Sequence, residues 1–171
     1  TAPTVAVGDD VTVGGTVTEF RSGGASSANL SVTEITAPTV DTRARGVALP
    51  APVVIGPSTV PNRFAPPIVG DVETIGRAVP RRSAQEFWEA HEGMRMQIPT
   101  PRVIAPSNTY GDIYVTSKPF SQNTYRGGAL LAGYDLPTGR VHVTALDGAK
   151  PTLTVGDRFA GPLTGVVDWS S

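Results

Sequence analysis

Arg77, Arg81 and Arg82 cluster in the middle of the chain, and Arg95 and Arg102 follow them. Further on, Tyr110, Tyr114, Phe120 and Tyr125 are interleaved with Lys118 and Arg126. Arginine forks match phosphate oxygens, and aromatic rings stack on unpaired bases. Those two chemistries together are how small barrels hold a single strand. The candidates for nucleic-acid contact are therefore Arg77, Arg81, Arg82, Arg95, Arg102, Tyr110, Lys118, Tyr125 and Arg126. The polar loops at 107–111 and 117–128 are where a ligand is expected. The competing reading is a set of core aromatics with arginines in solvent.

Catalytic chemistry finds little to work with. His91 and His142 are the two histidines, and neither belongs to an H-x-x-x-H pair. His91 falls at a helix end, where a cation suits the helix dipole. His142 alternates with Val141 and Val143 and reads as a solvent-facing strand residue. Glu86, Glu89 and Glu92 recur every three residues, a spacing that could gather carboxylates around a divalent cation. They read more simply as a cap, a solvated face and a helix end. Asp9, Asp10, Asp71 and Glu73 read as turn acids. Neither a G-x-S-x-G elbow nor a phosphate-cradling glycine loop occurs. The chain has no cysteine, which excludes disulfides, thiolate zinc sites and thiol catalysis. The expectation is a chain without a catalytic constellation, a metal site or a cofactor.

Charge and composition limit the partners. The chain has 14 basic and 15 acidic residues, a net charge of −1 at neutral pH. Strong, bulk electrostatic attraction to nucleic acid is excluded. With 19 glycines and 16 prolines in 171 residues, the chain is turn-rich. Such a composition favours short strands joined by tight turns over a helical bundle. No apolar run is long enough to span a bilayer. The chain begins at Thr1 and is expected to be a processed protein or a piece of a longer one.

The elements that must position the candidates are mostly strands. Residues 11–20 and 29–35 read as a long hairpin, with Gly14-Gly15 marking a bulge or bend. Residues 37–79 carry seven prolines by residue 67 and read as a connector packed on the surface. One helix is predicted over about 83–92. Ser83 and Glu86 form a capping box at its start, and Gly93 stands just past its end. Strand alternation resumes at Met94–Ile98, Asp112–Thr116, Arg140–Thr144 and Leu163–Trp169. Val7-Gly8-Asp9 recurs as Val155-Gly156-Asp157, a turn with glycine at a permissive position and aspartate bonded to nearby amides. The fold expected is mainly β: an OB-like barrel or two small barrel halves with one short helix.

Six stretches in order carry a resemblance: 5–20, 29–35, 49–56, 86–96, 108–115 and 155–170. The E-G-M at 92–94 is the most specific part. Together they resemble the non-catalytic, OB-like region of large secreted bacterial nucleases of the endonuclease/exonuclease/phosphatase type. The resemblance implies a closing barrel hairpin at 1–36 and a second β-rich unit at 80–171 that stands before a nuclease domain. It implies a secreted accessory module that binds or orients single-stranded or duplex DNA, with the catalytic domain of the parent chain as a second partner. The alternative is a structural spacer, or a module that docks to a protein or cell surface. The nuclease family's catalytic residues have no matching positions here.

Overall fold

The computed structural model describes residues 4–27, 29–67, 79–119, 123–131 and 136–169. The chain divides into two units, Thr1–Ala51 with Asp168–Ser171, and Pro52–Val167.

The first unit is an antiparallel ribbon of β1 (Asp10–Arg21) and β2 (Ser31–Ala44). The hairpin expected to end at residue 36 continues to Ala44, past Pro38. The ladder tolerates the proline because it stands in a bulge, where Ala37 and Pro38 together face Gly15. The position across from them must be glycine. A Cβ on Gly15 would lie 2.4 Å from Ile35 Cγ2 and 2.8 Å from the Thr36 carbonyl. Ala37 itself holds φ at +49°, in the left-handed region. Among the described residues of the ribbon only Ser31 is buried, while Val13, Val17, Phe20 and Ile35 are exposed. Polar side chains cross-link the strands: Ser31 Oγ and Thr33 Oγ1 donate to the Glu19 carboxylate at 2.9 and 3.0 Å.

The repeated V-G-D motif is the same turn twice. Asp9 N–H donates to the Ala6 carbonyl at 3.0 Å, and Ala6 N–H donates to the Asp9 carboxylate at 3.0 Å. Asp157 repeats both bonds with Thr154, at 3.2 and 2.8 Å. Gly8 and Gly156 take φ +93° and +97°, as the third position of a type II turn requires. One copy falls in each unit.

The second unit holds β3 (Val53–Val54), α1 (Ala84–Glu89), β4 (Arg95–Ile98), β5 (Arg102–Ala105), β6 (Ile113–Thr116), β7 (Arg140–Val143) and β8 (Leu163–Val166). β4 pairs with β3 in parallel and with β8 antiparallel; β5, β6 and β7 form an antiparallel sheet with β6 central. The fold is mainly β with one short helix, and among the described residues its three small sheets do not close into a barrel. Alternate residues of the strands reach one core: Met96 and Ile98, Val103, Ile113 and Val115, joined by Phe87 and Ala84 of the helix. Ile55 and Val60 complete it, so part of the segment expected as a surface connector is core. The stretch at 68–78 lies outside the described residues.

The helix is shorter than the sequence predicts. Beyond Ala90 the backbone bonding changes from i−4 to i−3, with His91 N–H to the Trp88 carbonyl at 3.0 Å and Glu92 N–H to Glu89 at 3.4 Å. That tightening ends the α-helix before Gly93, which turns the chain at φ +71°. At the other end Ser83 caps as expected, accepting from Glu86 N–H. The amides of Ala84 and Gln85 are satisfied by the Arg63 and Phe64 carbonyls at 2.8 and 3.1 Å. No helix among the described residues is long and apolar enough to cross a membrane.

Candidate nucleic-acid interface

The candidate residues separate into buried struts and exposed tips. Lys118 is 3% exposed. Its ammonium donates to the Pro61 carbonyl (3.2 Å), Asn62 Oδ1 (2.8 Å) and Thr138 Oγ1 (2.7 Å). An ammonium has three donors, so these bonds leave none for a solvent phosphate. Lys118 thus ties the 61–62 loop to β6 and drops out of the expected contact set.

Arg82 is likewise occupied. Its guanidinium straddles the Glu86 carboxylate, with Nε at 2.8 and 3.0 Å and Nη2 also bonded. Glu86 is fully buried and also accepts from Val79 N–H at 3.0 Å and Ser83 Oγ at 2.9 Å. Arg82, above all, and the two other donors hold its carboxyl at about 2, well below the usual range. Arg81 beside it is exposed. Arg95 lies on β4, in a different sheet from Tyr114. Arg77 and Phe120 lie outside the described residues.

Arg102 is 7% exposed on β5. Its Nη1 donates to the Pro119 carbonyl at 2.6 Å and Nη2 to Asn123 Oδ1, while buried Nε has no acceptor. Burial, then the neighbouring charge of Arg158, lowers its pKa. The strut supports a small hairpin. Asn123 bridges Ala129, and Thr124 N–H donates to the Gly128 carbonyl at 2.9 Å. Tyr125 and Arg126 stand at its tip, both exposed.

Tyr110 is 81% exposed, in a loop organised by Asn108. Asn108 Oδ1 accepts from the amides of Tyr110 and Asp112 at 3.0 and 3.1 Å. Its Nδ2 donates to Asp112 Oδ2 at 2.7 Å, and Asp112 Oδ1 lies 3.0 Å from His142 Nε2. Asn108 first and His142 second hold the Asp112 carboxyl below the usual carboxylate range.

The outer face of β6 and β7 carries a feature that sequence reasoning missed. Tyr114 and His142 stand directly opposite in the ladder, and their rings stack at 4.8 Å and 18°. The Arg140 guanidinium lies 5.0 Å from the Tyr114 ring centre. Each residue was visible in a strand pattern; what joined them was the register, which a single strand does not encode. The described residues hold no cluster of three metal-ligating side chains.

No curated protein and no solved structure matches the chain. A family match begins at β3 and spans residues 54–171, leaving the β1–β2 ribbon outside it. The chain belongs to this family, described as a domain of unknown function, DUF8508.

Proposed function

We propose that the chain is a non-catalytic module that holds single-stranded DNA, serving a secreted bacterial nuclease as an accessory module. The observation that supports the reading is the Tyr114–His142 stack with Arg140 over it on the outer face of an open sheet. Aromatic rings beside a guanidinium supply stacking and charge without reading base edges, so binding is sequence-tolerant and salt-sensitive. Exposed Tyr110 and Tyr125 add further ring surface. The nuclease context comes from the sequence resemblance alone.

Fluorescence anisotropy with a labelled oligothymidylate and a matched duplex, at about 50 mM salt, tests it. The single strand binds more tightly than the duplex, and Tyr114→Leu weakens it about tenfold by removing one stacking ring. No change in anisotropy up to high micromolar protein would sink the proposal. A second reading, docking to another protein, is favoured by the exposed Val17, Phe20 and Ile35 of the ribbon and by the near-zero net charge.

A further inference from the structure

One row of the second unit concentrates positive charge. Arg102 pairs directly with Thr116 of β6, and Thr116 pairs with Arg140 of β7. On the other edge of β5, Arg102 bridges Arg158 in antiparallel fashion. Residues directly opposite in antiparallel strands point to one face. Arg158, Arg102, Thr116 and Arg140 therefore form one rank across the sheet, about 14 Å from end to end at three strand spacings. Like charges opposite one another destabilise a sheet. Among the described residues none of Arg126, Arg140 and Arg158 is paired with a carboxylate. Asp157, the acid beside Arg158, accepts instead from the amide and hydroxyl of Thr154, at 2.8 and 3.3 Å.

Backbone packing brings Arg126 to the same place. Val103 N–H donates to the Asp157 carbonyl and Gly156 N–H to the Val103 carbonyl, both at 2.9 Å, which fastens the second V-G-D turn to β5. A Cβ on Gly156 would lie 3.3 Å from the Arg126 carbonyl, and one on Gly127 would lie 3.6 Å from Arg102 Nε. The hairpin tip and the turn are thus pressed together above the buried arginine.

We infer that Arg158 and Arg126 bind backbone phosphates of the single strand whose bases the tyrosines and His142 stack upon, with Arg140 continuing the track. This rests on the proposed function and adds its phosphate-binding residues. Arg102 is a positioning residue: it holds the hairpin through Pro119 and Asn123. An anion on this rank offsets the charge repulsion that the chain's own described carboxylates leave in place.

The test measures oligothymidylate affinity against salt for the full chain and for Arg126→Gln, Arg158→Gln and the double variant. Each lost phosphate contact lowers the log–log salt slope by about 0.7, and the double variant by about 1.4. Arg45→Gln, at an arginine of the first unit already paired with Asp9, leaves the slope unchanged. Arg126→Lys and Arg158→Lys keep the charge and restore the slope, which separates lost contact from a damaged fold. If the native chain binds and the double variant keeps its affinity and slope, this phosphate site is wrong while the proposed function stands. If the native chain does not bind, both fall.

Discussion

Among the described residues the β1–β2 ribbon has the longest strands, 12 and 14 residues, and one buried residue. The described strands of the second unit have no more than four residues, and its apolar core is drawn from nearly all its described elements. Strand length and strand stability are therefore different properties. A two-stranded sheet satisfies its shared ladder but has no second layer to bury a face against, and such ribbons are marginal alone. The short strands of the second unit bury alternate residues in a common interior and are locked from behind by charged struts, Arg82–Glu86, Lys118 and Arg102. The family match follows the same division.

The widest separation between the regions comes from one residue type in two settings. Phe87 is 4% exposed and Phe20 is 55% exposed. Phe87→Ala costs about 3–5 kcal/mol through lost burial and the cavity left behind. Phe20→Ala costs less than about 0.5 kcal/mol. Urea melts of the two variants decide it, and equal losses would break the contrast.

The struts come next. Glu86→Gln costs about 2 kcal/mol at neutral pH, since Arg82, Ser83 and Val79 lose a charged acceptor. The acid response gives the sign independently. The folded carboxyl is lowered from 4.5 to about 2, so its stabilisation is complete above the unfolded value and is lost as pH falls toward 2. The urea midpoint of the native chain drops across that window, whereas Glu86→Gln shows a flatter profile. A variant that follows the native curve would remove Glu86 as the cause.

The ribbon's bulge gives effects confined to one region. Gly15→Ala destabilises by about 1–3 kcal/mol, because the new methyl collides with Ile35 and the Thr36 backbone. Ala37→Gly stabilises by about 1 kcal/mol by releasing the left-handed alanine. Hydrogen exchange places both changes in ribbon amides, with protection of the second unit unaltered. Spread of either effect into Val103 or Val115 would show that the regions open together.

Local chemistry was legible wherever a few neighbouring residues decide the backbone. Ser83 caps its helix, both V-G-D turns form with left-handed glycines, and Gly15 marks a real bulge. The hairpin's length was not legible, because Pro38 ends a strand on propensity alone and is harmless in a bulge. The short β5 was also hidden: R-V-I-A has no alternation to separate it from loop. Among the site residues, exposed Tyr110, Tyr125, Arg81 and Arg126 remain available, and Lys118 does not. Long-range partners took Lys118: the carbonyl of Pro61 and the side chains of Asn62 and Thr138 lie far from it in sequence.

Composition and local pattern alone determined a turn-rich, mainly β, cysteine-free chain with one capped helix. Those properties depend on backbone preference and neighbours within a turn of chain. Tertiary structure alone decided which cations face solvent and which are struts, and which rings meet. Tyr114 meets His142, and Arg158 joins the rank of Arg102 and Arg140, only through strand register. Register is set by burial on the opposite face, where Val103, Ile113 and Val115 must reach one core.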